Sequence, residues 1–288
     1  AKRIDAYILS LDSLAIYKEF DIVSAKPSKE ELREVPHFGI DELTPNDYFS
    51  VERYISIYKR AKKEAQKANK DLVIVGGSVF YLKTLLDGLS PTPNFRSQTV
   101  EKVASLLQDL PGAYRLLLRI DPAFASKIQP TDRYRIEKAL LIHIETGLAP
   151  SLYFKRNPPI PIIKNIPIFN IRISRQQIRQ NLRMRTKKML ATGLVEEIFN
   201  IQKKYGRAIR PLKSIGAKET LKYLDGKITL QELYQEIVTH SAQLAKRQST
   251  FIKTQFQDLF HIDPKDEELL VSFLRNGKGW DQNPLACT

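Results

Sequence analysis

The sequence predicts an α/β protein: a parallel sheet flanked by helices, with a mostly helical segment inserted midway. Three observations point there. An apolar, β-favouring run, Tyr7-Ile-Leu-Ser-Leu11, ends on a carboxylate at Asp12. A second run, Asp71-Leu-Val-Ile-Val75, ends on Gly76-Gly77-Ser78 and leads into a helical pattern from Val79 to Leu86. Beyond Pro93 this rhythm gives way to helical spacing, until the stiff connector Asn157-Pro-Pro-Ile-Pro161 and renewed β character over Ile166 to Ile173. Strands separated by helices build parallel sheets, and such sheets bind ligands beyond the carboxyl ends of their strands. The expected divisions are 1–96 for the first part of the core, 97–164 for the insert, and 165–288 for the second part of the core.

Asp12 occupies such a strand end. A carboxylate there can act as a base, bind a metal or cap the next turn, and Asp12-Ser13 before Leu14-Ala15-Ile16 is equally good N-cap chemistry. Ser28 to Glu34 reads as a short polar helix or a loop, and Pro36, Pro45 and Asn46-Asp47 punctuate the next stretch of chain. Ser50 caps a helix in which Tyr54, Ile57, Tyr58, Ala61 and Ala65 recur at helical spacing, with Lys59, Lys62, Lys63 and Lys67 on a solvated side. Gly76-Gly77 allows either a close backbone approach to a ligand or simply a tight turn.

Gln98 to Leu110 is helix-like, and Tyr114 to Ile120 fits a strand or a helix. Thr131 or Asp132 starts a helix that Gly147 stops. Ile136, Ala139, Leu140 and Ile144 share one of its faces, with Tyr134, Arg135 and Lys138 roughly opposite. Arg175, Arg179, Arg183 and Lys187 recur every four residues, a cationic stripe suited to tracking phosphates. Lys213 and Lys218 flank a turn at Gly216. Thr229-Leu-Gln-Glu232 is a capping box opening a long helix with Leu233, Ile237, Leu244 and Ile252 on its apolar side.

Composition narrows the partners. Forty-six Lys and Arg against 32 Asp and Glu give a net charge of +14 over 288 residues. That balance favours an anionic partner: nucleic acid, a diphosphate or an acidic membrane. The single cysteine, Cys287, excludes an intramolecular disulfide, and four scattered histidines suggest no metal centre. Without a membrane-length apolar run or a secretory signal, a cytoplasmic protein is expected, and a monomer is the accompanying expectation.

Asp12-Ser13-x-x-x-Tyr17, then Asp21-Ile-x-x-Ala-Lys26-Pro27, then Val35-Pro36-His37 and Ile40-Asp41, resembles the tRNA dimethylallyltransferase (tRNA isopentenyl transferase) family. The resemblance recurs in Val75-Gly-Gly-Ser78-x-x-Tyr81, in Asp121-Pro through Leu140, in Met189-Leu-Ala-x-Gly193, in Lys213 to Glu219 and in Gln243 to Phe251. It implies a P-loop-NTPase-like parallel sheet with a helical insertion domain that grips tRNA. It implies transfer of a dimethylallyl group from dimethylallyl diphosphate, with Mg²⁺, to N6 of the adenosine beside the anticodon.

On that resemblance Asp12 is the general base and Ser78, standing where the family usually has Thr, a second catalytic contact. The tRNA anticodon stem-loop is expected to meet Asp12, Ser13, Leu14 and Ala15. It is also expected to meet Tyr134, Arg135, Ile136, Glu137 and Lys138, and Lys213, Ser214, Ile215, Gly216, Ala217 and Lys218. Arg247 is expected at the diphosphate. Lys213 stands where Arg is usual, Ala217 replaces a common Tyr, and Phe251 replaces Trp. No G-x-x-x-x-G-K-[ST] loop occurs in these residues, whereas the family carries one ahead of the first phrase. A chain truly beginning at Ala1 is expected to bind RNA and to transfer prenyl groups poorly or not at all. Two other readings compete: an adenylate isopentenyltransferase acting on free nucleotide, and a non-catalytic RNA-binding protein. The basic region after Pro93 argues against the first.

Overall fold

A computed structural model describes residues 1–257 and 259–276, so Cys287 lies outside the described residues. The chain forms two compact units: Ala1–Lys83 with Asn165–Thr288, and Thr84–Lys164.

The first unit opens with β1 (Ala6–Ser10), α1 (Lys29–Glu34), β2 (His37–Phe38), α2 (Val51–Lys67), β3 (Asp71–Val75) and α3 (Val79–Asp87), which runs on into the second unit. The strand order is β2-β1-β3, all parallel, with Ala6 opposite Asp71 and Ser10 opposite Val75. The central strand is therefore the one that leads to Asp12, and its neighbour is the one that leads to the glycine pair.

Local chemistry explains the elements. Ser28 and Glu31 form a complete capping box, so the polar Ser28–Glu34 stretch resolves as a helix. Ser50 caps α2, whose buried face is Tyr54, Ile57, Tyr58, Ala61 and Ala65. The loop between β1 and α1 is irregular, and a buried ammonium closes it. Lys26 Nζ, its side chain 4% exposed, donates to Tyr17 O at 2.7 Å, Asp21 Oδ1 at 2.6 Å and Asp41 Oδ1 at 2.6 Å. A cation so far from water holds its place only when paired and bonded.

The second unit holds α4 (Ser97–Leu106), α5 (Leu110–Ile120), α6 (Pro122–Ala125), α7 (Arg133–Thr146) and α8 (Pro150–Arg156). Tyr114–Ile120 is helical, because Asp109 caps Gly112 N at 3.0 Å and α5 buries Ala113 and Leu117, four residues apart. Asp132 caps α7 and Gly147 ends it in a left-handed conformation. Val103, Leu107, Leu117, Ile136 and Leu140 build a core within this unit.

The chain then completes the first unit with β4 (Phe169–Ile171), α9 (Arg175–Ala191), α10 (Leu194–Tyr205), α11 (Ala217–Leu224), α12 (Leu230–Gln255), β5 (Phe260–Ile262) and α13 (Glu267–Asn276). β4 and β5 pair in parallel as a separate two-stranded sheet. The Thr229–Glu232 capping box opens α12, and α12 packs along α9. No helix among the described residues is long and apolar enough to cross a membrane.

Candidate active site

The strand ends are locked together by backbone. Leu11 N donates to Val75 O at 2.6 Å, and Ser78 N donates to Leu11 O at 3.0 Å. Gly76 makes that approach possible: its φ is +149°, and a Cβ there would sit 2.5 Å from Leu11 O. Ser78 Oγ in turn accepts from Ser13 N at 3.3 Å. The hydroxyl thus reaches the turn after Asp12 while its own proton stays available to another partner.

Asp12 caps and faces a cavity at once. Its Oδ1 accepts from Leu14 N at 2.7 Å and Ala15 N at 3.1 Å, although a turn, not a helix, comes next. Both bonds fall on one oxygen, which orients the carboxylate and leaves Oδ2 for other chemistry. The cavity is about 740 Å³ and is lined by Asp12, Ser13, Leu14, Gly77 and Ser78 on the sheet side. Its size lies in the range of small-molecule sites.

The far wall comes from α9, the turn before α11, and α12. Leu182, Arg185, Thr186 and Met189 face the cavity from α9. The stripe residues Arg175, Arg179, Arg183 and Lys187 are exposed on other sides of that helix. Arg185 is the functional candidate that the four-residue spacing obscured: it is offset from the stripe and shares its face with Thr186 and Met189. Its Nη2 donates to Ser24 O at 3.3 Å. Much of its surface is exposed, yet the protein around it lowers its pKa by desolvation, with the Asp12 charge acting the other way. Arg247, Gln248, Leu244 and Phe251 line the wall from α12. Gln248 Nε2 donates to Gly77 O at 2.8 Å, tying α12 to the glycine turn. Leu244, expected on the apolar side of α12, is 40% exposed into this space. Burial pushes the phenol of Tyr81, also in the wall, up to about 12.

Ser214, Ile215 and Gly216 complete the wall. Gly216 has φ +94°, and a Cβ there would meet Val23 Cγ2 at 2.7 Å. Its N–H donates to Glu219 Oε2 at 2.6 Å; Glu219 is 0% exposed, and its Oε1 accepts from His240 Nδ1 at 2.6 Å. Lys218 Nζ lies 3.5 Å from the same oxygen. Glu219, Glu236 and His240 are the one His/Cys/Asp/Glu group among the described residues whose ligand atoms lie within 4.8 Å of one another. Glu236 is already bonded to Lys222 Nζ at 2.8 Å. With two ammonium groups beside it, the cluster is a polar clasp and not a cation site.

A second clasp links α10 to the loop after Asp12. Glu197 accepts from Asp21 N at 2.9 Å, Ile22 N at 2.7 Å and Val23 N at 3.0 Å. Desolvation raises its pKa, against the lowering effect of those three bonds. Nothing in the sequence spacing pairs residue 197 with residues 21–23.

The expected residues therefore divide. Asp12, Ser13, Leu14, Ser78, Ser214, Ile215, Gly216 and Arg247 share one cavity. Lys213 and Lys218 are exposed outside its lining. Tyr134, Arg135 and Lys138 stand exposed or half-buried on α7 of the second unit, with Glu137 half-buried beside them. Ala15, Ile136 and Ala217 are packed inside at 4%, 0% and 0% exposure, so side-chain contact expected of them falls to their neighbours.

The chain is similar to known proteins of one family. A family model described as IPP transferase matches residues 15–255. The tRNA dimethylallyltransferase of Sulfurimonas denitrificans is 50% identical over 95% of this chain and 93% of its own length. That of Nautilia profundicola is 45% identical over 96% and 93%. Among solved structures, a eukaryotic dimethylallyltransferase acting on tRNA superposes with a TM-score of 0.84 at 22% identity, covering 99% of this chain and 76% of the other. The tRNA delta(2)-isopentenylpyrophosphate transferase of Staphylococcus epidermidis gives 0.67 at 23% identity, covering 98% and 93%. The fold is that of the tRNA prenyltransferases, and the chain belongs to the IPP transferase family.

Proposed function

We propose that the chain transfers a dimethylallyl group from dimethylallyl diphosphate to N6 of the adenosine adjacent to the anticodon in tRNA. The observation that carries the reading is the pairing, across one cavity, of the Asp12 carboxylate with two guanidinium groups, Arg185 and Arg247.

An adenine amine is a poor nucleophile, because its lone pair is delocalised into the ring. Asp12 Oδ2, left uncommitted by the two amide bonds on Oδ1, takes the N6 proton as the N–C bond forms. The bond from carbon to diphosphate oxygen breaks, and the leaving group carries the electron pair away. Arg185 and Arg247 stabilise that growing negative charge. The Ser78 hydroxyl, with Ser13 N on its oxygen, has a proton free for the incoming nucleoside. The target base must leave the RNA stack to reach Asp12, and a cavity of about 740 Å³ has room for it. Lys213 and Lys218 contribute phosphate contacts outside the cavity, and α7 contributes others from the second unit.

The Mg²⁺ implied by the sequence resemblance would be held here chiefly by the oxygens of the bound diphosphate and by water, as this ion usually is at phosphate sites. Asp12 is the one carboxylate lining the cavity, and its Oδ1 already accepts two hydrogen bonds, so Oδ2 is the one carboxylate oxygen the lining offers. A hard cation needs a shell of oxygen ligands. No step of the transfer is routed through the ion.

The test is label transfer from dimethylallyl diphosphate into unmodified tRNA and, in parallel, into AMP. Modified adenosine in the tRNA digest is the expected result. Turnover of AMP with none of tRNA would replace this reading with the free-nucleotide one. Tight tRNA binding with no product would leave an RNA-binding protein.

A further inference from the structure

The second unit carries its own groove, of about 420 Å³, built around a pair of rings. Phe124 on α6 and Phe154 on α8 stack with centroids 6.0 Å apart and planes 23° from parallel. The buried carboxylate of Asp121 fixes that pair. Its Oδ1 accepts from Phe124 N at 2.9 Å and its Oδ2 from Ser151 N at 2.6 Å, bonding the starts of both helices. Tyr134 of α7, 61% exposed, also lines the groove. The ammonium of Lys138 lies 5.9 Å from its ring and 5.9 Å from that of Phe95. Lys127 and Arg135 also line the groove. Asp132 holds Arg135 at 3.2 Å and offsets part of its charge, and no acidic residue lines the groove itself.

We propose that this groove takes one unstacked nucleobase of the bound RNA, stacked against the Phe124–Phe154 and Tyr134 rings, with the adjoining phosphate at Lys127 and Lys138. The inference rests on the proposed tRNA substrate and adds a second base site, apart from the cavity at Asp12. Three properties argue for that occupant. Aromatic walls bind any base through its π face, and single-stranded RNA loops are recognised in this way. A cationic rim complements a phosphate and would repel a basic peptide. The Asp121 bonds preorganise the walls, so little ordering is required on binding.

The experiment uses the full chain and unmodified tRNA carrying 2-aminopurine at single anticodon-loop positions other than the target adenosine. One position is expected to change fluorescence when the parent protein binds, and to lose that change with Tyr134→Ala and with Phe154→Leu. The leucine keeps the apolar bulk without the π face, and a thermal melt checks that it folds. Each ring variant is expected to bind tRNA roughly fivefold to a hundredfold more weakly, with the salt dependence of affinity unchanged. Lys138→Gln is expected instead to reduce the salt slope by about one. If both ring variants bind as tightly as the parent with the same fluorescence response, the base site is overturned while the tRNA reading survives. If the parent binds no tRNA at any salt, both fall together.

Discussion

Asp12 gathers two roles usually treated as alternatives. Its Oδ1 caps the Leu14–Ala15 turn, and its Oδ2 faces a cavity. From sequence the cap and the base are equal readings of one aspartate, and the backbone satisfies both by dividing the two oxygens between them. Arg185 was not legible, because its neighbours at four-residue spacing form a more regular cationic row. Only the packing of α9 on α12 distinguishes the face carrying Leu182, Arg185 and Met189 from the faces carrying that row. Arg185→Gln is expected to reduce prenyl transfer roughly 10²-fold, with tRNA affinity changed less than threefold, measured by steady-state label transfer and filter binding. Equal losses in both would make Arg185 an RNA contact and not a leaving-group contact.

The elements explain why separate sequence phrases occur together in one chain. Glu197 at the start of α10 accepts three amides of the loop after Asp12, Gln248 of α12 bonds the glycine turn, and Gly216 abuts Val23. Each phrase thus supplies a partner for another, which no single-segment pattern reveals. Capping residues such as Ser28, Ser50, Asp132 and Thr229 were legible because their chemistry is local. The conformation of Tyr114–Ile120 was not, because an apolar run that short obeys either period and tertiary burial chooses.

Two outcomes belong at this scale. Gly216→Ala forces a methyl against Val23 at a positive φ and is expected to cost about 1–3 kcal/mol in denaturant unfolding. His240→Ala, which removes one partner of the buried Glu219 carboxylate, is expected to cost a similar amount. It should also raise KM for tRNA more than it lowers kcat, because the turn it supports lines the cavity. Glu197 gives a pH signature. Its folded pKa is raised by desolvation, so the folded chain favours the protonated carboxyl more than the unfolded chain does, and protonation contributes to stability. That contribution is full below the ordinary glutamate pKa and is lost as pH rises through the folded value. The stability gap between parent and Glu197→Gln should therefore narrow as pH rises through that value, read from urea midpoints across a pH series. A gap that widens instead would contradict the assigned direction.

At the scale of the whole molecule, the active-site candidate arises from topology. The chain crosses from β1 to β3 in parallel, bringing Asp12 and Gly76-Gly77-Ser78 to adjacent strand ends, where open α/β sheets bind ligands. That much was legible in two apolar runs and the residues that terminate them. The helices closing the far side come from beyond residue 175, and their arrival at the same cavity was legible only through family resemblance. Net charge sets the remaining expectation. With +14 overall and the α9 row of Arg179, Arg183 and Lys187 exposed, tRNA binding should weaken with salt. Replacing those three by Gln is expected to lower the slope of log affinity against log salt by about two. An unchanged slope would assign the row to solvent.

The most direct measurement of the central claim is a single-turnover reaction with tRNA and dimethylallyl diphosphate both prebound, comparing the parent with Asp12→Asn. Asparagine can still accept the Leu14 and Ala15 amides but takes up no proton. The account predicts a rate of N–C bond formation lower by about 10²- to 10⁴-fold, with tRNA affinity within twofold of the parent. A rate within a few-fold of the parent would show that another group removes the N6 proton, and the assignment of Asp12 would fail.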